Sequence, residues 1–399
     1  MSDHLSSHQT LPDPFIDPTG PYYAHDEGDR DRRDGPSLPR TAERKSAADG
    51  PGSAEGYRTM TAPVTAPAAP APGPTGLTSG RIAAANLEAS VRSARCRVTQ
   101  EFQPSVVADL VLALLTRGGV LARVDDVQAA HLWSADLVAA FPQDGTAWLA
   151  RARTQGALHL FDAALASLDR AQCHAAPPQQ LAEERATVLQ AAGRTDESLD
   201  LWLAAAAMNR DSHVLGRLAC AHAERGAFDT ADHLFAEAMA CYRGVSPVAP
   251  AGLYSDWAHV HEHAGAWAKA EASYRRAVGI LPCHARAQLG VAVAEARSGR
   301  LSAAVARLRP VCAASDDPAY AGTLGLLVRD AAGDADDPEA EALLNRARDR
   351  FAQLLALHPE AFAGHAAQFR QAEGRQPNTS SMAHRDPSPE ASVRGVATG

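Results

Sequence analysis

Between residues 81 and 372 the apolar positions recur every three or four residues, the period of helices that bury one face. RIAAANLEASVRSAR, PSVVADLVLALLTR and DDVQAAHLWSADLVAAFP read as three successive amphipathic helices. Pro104 suits the first turn of the second, and Pro142 ends the third. Before residue 81 the helical period is absent. Residues 1–80 are rich in Pro, Gly and Asp, and TAPVTAPAAPAPGP favours extended polyproline conformations. This reads as a disordered arm, with a weak docking-peptide candidate in FIDPTGPYYAH, and residues 373–399 read as a disordered tail.

Beyond residue 144 the helical pattern itself repeats. The first unit carries Trp148, Ala152, Ala164 and Ala171, and the second Ala186, Gly193, Ser198, Trp202 and Ala205. The third carries Ala219, Gly226, Phe228, Ala231, Phe235 and Ala238. The fourth carries Ala258, Gly265, Trp267, Ala270, Tyr274, Ala277 and Pro282. A fifth carries Ala292, Gly299 and Ala304, with Val311 at the last alanine's place. Counted along the chain, Ala171 to Ala205 is 34 residues, Ala205 to Ala238 is 33, Ala238 to Ala277 is 39 and Ala277 to Val311 is 34. The long interval holds the insertion RGVSPVAPAG. A stretched sixth unit runs from Ala319 to Pro359, with Phe351 as its second-helix aromatic.

Small side chains at a fixed interval, with a turn glycine between them, resemble the tetratricopeptide repeat family, whose period is about 34 residues. The resemblance implies an all-α, right-handed α-solenoid of stacked helix–turn–helix units. Residues 144–372 form the array with a C-terminal capping helix, and residues 81–143 form lead-in helices or one degenerate repeat. One pair of helices cannot bury its own apolar face, so stability comes from stacked neighbours. Composition agrees, since apolar residues make up 46 % of the chain and aromatics only 5 %, a helix-packing balance rather than a strand one.

The resemblance also implies that first helices line a concave, peptide-binding surface. The faces opposite the packing alanines offer Arg153, then Gln180, Glu183, Thr187 and Gln190, then His213, Cys220 and Glu224. The fourth repeat adds Ser255, His259, Glu262 and His263, and the fifth Arg286 and Arg297. The family's subtype that clamps a C-terminal carboxylate uses Lys, Asn and Arg. The corresponding positions here include Leu149, Glu184 and His259, so that clamp is not recognisable.

The expectation is therefore a protein-interaction adaptor or scaffold holding a protein or peptide, without catalytic residues, metal or cofactor. A net charge of −9 with no basic stripe argues against nucleic acid, and the apolar stretch from Val106 to Leu115 is too short to span a bilayer. Six scattered cysteines and no signal peptide point to a cytoplasmic protein with free thiols. Lysine occurs only as Lys45 and Lys269, a skew that points to a GC-rich bacterial genome. Two alternatives rest on HVHEH, residues 259–263: a peptide- or metal-sensing regulator, and a zinc metallopeptidase through H-x-x-E-H. Both compete with the plain reading of a solvated helix face inside the best-matching repeat.

The register is testable. Ala258→Leu should overpack a helix crossing and cost roughly 1–3 kcal/mol. An unchanged thermal melting curve would refute it.

Overall fold

The structure is a computed structural model that describes residues 76–374; the expectations for the N-terminal arm and the C-terminal tail lie outside them. Every regular element among the described residues is a helix. Three come first: α1 (Gly80–Gln100), α2 (Pro104–Leu121) and α3 (Val124–Ala140). Six hairpins follow: α4 (Gly145–Ala157) with α5 (Phe161–Cys173), α6 (Pro178–Ala191) with α7 (Thr195–Met208), and α8 (Ser212–Glu224) with α9 (Phe228–Cys241). Then come α10 (Val248–His263) with α11 (Trp267–Ile280), α12 (Ala285–Arg297) with α13 (Leu301–Ala314), and α14 (Pro318–Ala332) with α15 (Pro338–Leu357). The last helix, α16 (Pro359–Glu373), packs on α14 and α15. This is the all-α stack of tetratricopeptide-like hairpins.

The repeating small residues make the crossings. Ala152, Ala186, Ala219, Ala258 and Ala292, one in each first helix, are completely buried. So are Ala164, Ser198, Ala231 and Ala304 in the second helices, with Ala270 nearly so. One turn further on, Leu168, Trp202, Phe235, Tyr274 and Leu308 fill the space left between hairpins, each with no exposed surface. Ala171, Ala238 and Ala277 close the pattern fully buried, whereas Ala205 is half-buried beside the buried Ala206. Asp144, Asp211, Asp317 and Asp337 accept hydrogen bonds from backbone N–H groups that open helices, and so satisfy donors a helix start leaves bare.

The hairpin turns need left-handed backbone. Gly193, Gly226, Gly265 and Gly299 occupy equivalent places with φ between +70° and +75°. In the first hairpin that place belongs to His159, at φ +57°. A side chain there is strained, and contacts hold it: the ring stacks on Phe161 at 5.4 Å, and it donates a hydrogen bond to the backbone carbonyl of Glu360 in α16.

That contact is one of several joining the two ends of the described chain. The α2–α3 turn docks on the loop after α13, where the Ser315 hydroxyl donates to the Ala122 carbonyl at 2.6 Å and Asp316 accepts the Val124 N–H at 2.5 Å. Arg350 of α15 pairs with Asp125, and Val124 shares a core with Leu354, Ala361 and Phe362. Near the start of α1, Ala83 and Leu87 pack with Ala251 and Leu281. The first three helices are thus more than a lead-in to the stack. They turn back onto the last repeats, and α2 faces the first helices of the array.

A charge network holds α2 in place. Arg117 makes a bidentate pair with Asp126 at 2.6 and 2.7 Å, both buried, and also reaches Glu88 of α1 at 2.6 Å. Arg123 meets the other oxygen of Glu88 at 2.8 Å. The hydrogen bond from Asp126 pushes the Arg117 guanidinium further into its charged form. Removing one partner of a buried ion pair costs about 3–5 kcal/mol because a buried charge is left behind. Asp126→Ala should fall at the low end, about 3 kcal/mol, since Glu88 remains beside Arg117. Chemical denaturation checks this, and a loss under about 1 kcal/mol would remove the network from the list of forces orienting α2.

Candidate functional site

Between α2 and the first helices of the array lies a cleft of about 440 Å³. One wall is α2 itself, with Leu112, Leu115, Thr116, Gly119 and Val120. Leu112 is half exposed, an uncovered aliphatic side chain facing this space. The opposite wall draws on α4, α6, α8, α10 and α12. It carries Arg153, Glu183, Glu184, Thr187, His213, Arg217, Ser255, Asp256 and Arg286, with Val188 and Leu253 as apolar patches.

The charges of this wall are ordered. Arg153 of α4 bonds Glu184 of α6 at 3.1 Å, and Arg217 of α8 acts on the same carboxylate. Asp256 of α10 bonds Arg286 of α12 at 3.1 Å. Read along successive first helices, the order is guanidinium, carboxylate, guanidinium, carboxylate, guanidinium. Burial raises the Glu184 carboxyl above its ordinary pKa despite its two arginine neighbours. Counting Glu183, the cleft holds three guanidiniums and three carboxylates.

Two uncharged polar groups complete the wall. His213 packs edge-on to Trp202 at 6.0 Å, and its accessible surface faces the cleft. Desolvation, helped by Arg217, lowers its pKa from 6.5 to about 4, so it is neutral at pH 7. The Ser255 hydroxyl is buried without a hydrogen-bond partner among the described residues. Such a group costs about 1–3 kcal/mol until it is satisfied.

Of the residues read from sequence as groove-lining, Arg153, Glu183, Thr187, His213, Ser255 and Arg286 come together here, along with Gln180. The others do not. Gln190 is buried, donating to Glu224 at 2.6 Å and accepting from Trp202, and Cys220 is 1 % exposed with its thiol pKa pushed up by burial. His259, Glu262 and His263 lie at the far end of α10, and Arg297 stacks at 3.7 Å over Trp267. Sequence reasoning missed Arg217 and Asp256 altogether and considered Glu184 only as a clamp position. All three stand two places before a packing alanine (Ala186, Ala219, Ala258), so following that register would have found them. The α2 wall had no such signal. Its 18 residues, with a mean hydropathy of 1.5, form the one helix among those described that is long and apolar enough to cross a membrane, a match to length and composition that the run from Val106 to Leu115 understates.

No family model matches the chain, and no curated protein matches it. Among solved structures it is similar to a chain of the APC/C hetero-tetramer Cut9–Hcn1, with 14 % identity over 72 % of this chain and 52 % of that one and a TM-score of 0.45. It thus spans about half the length of that relative. A tetratricopeptide repeat protein from Parabacteroides merdae gives 13 % identity, 72 % and 99 % coverage and a TM-score of 0.41. A human IFIT1 dimer with PPP-AAAA gives 14 % identity, 67 % and 62 % coverage and a TM-score of 0.45.

The lowered pKa of His213 has a measurable consequence. In the unfolded chain its imidazole takes a proton near pH 6.5, but in the folded protein only near pH 4. Its contribution to stability is therefore complete above about pH 6.5 and is lost as the pH falls toward 4. His131, His159 and His365 are lowered to about 4 by burial and act in the same sense. The denaturation midpoint should fall between pH 7 and pH 5, and the His213 ring resonances should titrate near 4. The His213 residue is exposed, so a titration near 6.5 would show that the cleft walls do not desolvate its ring.

Proposed function

We propose that this protein is an interaction scaffold that holds a short segment of another protein in the cleft between α2 and the first helices of the array. The alternating charge order of Arg153, Glu184, Arg217, Asp256 and Arg286 opposite the aliphatic face of α2 carries the reading. A polypeptide offers what these walls complement: backbone N–H and C=O groups in alternation, and apolar side chains between them. A polyanion fits poorly, because phosphate recognition needs an excess of positive charge and the carboxylates here balance the guanidiniums. A cleft of about 440 Å³ is at the small end for ligand sites, which run to about 1,000 Å³, so the bound element is a few residues rather than a long helix.

The test is to fill the cleft. Thr187 is half-buried on α6 and lines it, so Thr187→Trp blocks the space without touching a helix crossing. A partner recovered with the wild-type chain from the native host should be lost with Thr187→Trp. A peptide spanning its contact segment should bind at least tenfold more weakly to the variant. Equal binding to a folded Thr187→Trp protein would move recognition elsewhere.

A further inference from the structure

The last turn of α10 carries a pair of histidines that the cleft does not use. His259 and His263 stand one helical turn apart, with their Nε2 atoms 3.0 Å from each other and their rings perpendicular. His259 is 3 % exposed, while His263 reaches the surface. Behind them, Nδ1 of His259 faces the Glu262 carboxylate at 3.4 Å, and that carboxylate accepts the Tyr274 hydroxyl at 2.9 Å.

From this geometry we infer a bidentate site for an imidazole-preferring divalent transition metal, of the copper, nickel or zinc class, held by the two Nε2 atoms. A metal at 2.0–2.1 Å from each nitrogen sets them roughly 2.8 Å apart in a square-planar cis arrangement and roughly 3.3 Å apart in a tetrahedral one. The observed separation lies between these values, so a small rotation of the exposed His263 ring serves either geometry. Metal-binding imidazoles commonly donate their other N–H to a carboxylate that fixes ring orientation and tautomer, and Glu262, anchored by Tyr274, stands where that partner belongs. With His259 protonated at Nδ1, its Nε2 carries a lone pair. His263 gains the same form by moving its proton from Nε2 to Nδ1, so two neutral imidazoles bind the cation without releasing a proton. The position suits a cation, since the C-terminal end of a helix carries partial negative charge, and α10 ends at His263.

The neighbouring cations are engaged elsewhere. Arg286 pairs with Asp256, and Arg297 lies over Trp267. Cys220 and Glu224 on α8 do not extend the ligand set, the first being a buried thiol and the second accepting from Gln190. Among the described residues no group of three His, Cys, Asp or Glu side chains is arranged to hold a metal. The chain therefore supplies two donors and water the rest, which separates this site from the three-ligand zinc centre of a peptidase.

Full-length protein without an affinity tag should be titrated with Zn(II) by calorimetry and with Cu(II) by electron paramagnetic resonance, beside His263→Gln and Glu262→Gln. The expected result is one saturable equivalent in the wild type and a two-nitrogen copper spectrum. Both should be lost in His263→Gln, and affinity should fall about 10–100-fold in Glu262→Gln. His263 is exposed, so the variant should match the wild-type melting curve in metal-free buffer, which separates ligand loss from misfolding. If His263→Gln keeps the stoichiometry and affinity of the wild type, the metal sits on others of the sixteen histidines, and the inference is overturned. The experiment needs no protein partner, so its result is independent of the scaffold reading.

Discussion

The structure depends on how closely two helices can approach when nothing larger than a methyl group lies between them. Helix axes pack at 8–10 Å according to the side chains at the contact. Ala152, Ala186, Ala219, Ala258 and Ala292 are completely buried in five successive hairpins, each placing only a methyl group at its crossing. The larger side chains then have one place to go, the wedge between neighbouring hairpins, where Leu168, Trp202, Phe235, Tyr274 and Leu308 are fully buried. Even Gly290 belongs to this economy of volume, since an added Cβ would lie 2.4 Å from the Tyr274 ring. Equal spacing of the crossings brings equivalent positions of successive first helices into line, so side chains distant in sequence form one wall.

The parts of this arrangement set by local periodicity were legible in the sequence. Helix type, the buried alanines, the interleaved aromatics and the turn glycines all follow from short-range pattern, because each repeat meets the same neighbours as the last. The wall was half legible. Arg153, Thr187 and Ser255 were found by turning away from the packing alanine, but that rule also selected Cys220 and Gln190, which neighbouring hairpins cover. It passed over Arg217 and Asp256, although each stands two residues before its packing alanine and so roughly 160° around the helix from it, the face most nearly opposite the crossing. Left-handed His159 was illegible for a different reason. Its contact with Glu360, two hundred residues later, helps hold a histidine where the other hairpins have glycine.

The course of α2 is also a long-range property. An amphipathic helix ahead of a solenoid can extend the stack or turn across its concave side, and its own pattern serves both. Here the choice rests on Ala122, Arg123 and Val124 meeting residues 314–316, about 190 positions away. The composition of α2 follows from that position. It packs on α1, α3 and α4 while presenting Leu112 and Leu115 to the cleft, so it is apolar around most of its circumference. The same apolarity gives it the length and hydropathy of a membrane span, yet it carries the buried Arg117 with Asp126 as partner.

If the cleft binds as proposed, placing α2 opposite the charged wall sets what it would recognise. An open groove selects by length and leaves its charges in water, where they attract weakly and are screened. A covered cleft removes water from one side, so every charge needs a protein partner before a ligand arrives. The alternation of Arg153, Glu184, Arg217, Asp256 and Arg286 supplies those partners in advance. The cost of burying charge is thereby met within the scaffold itself, and a ligand need not neutralise it. On the scaffold reading proposed above, what would remain for a ligand is the aliphatic face of α2 and the outer hydrogen-bonding edges of paired ions. Those features would select for shape and hydrogen-bond pattern rather than for net charge. A neutral peptide backbone bearing one or two apolar side chains would satisfy both at once, whereas a strongly charged chain would have to break pairs that the fold has already made.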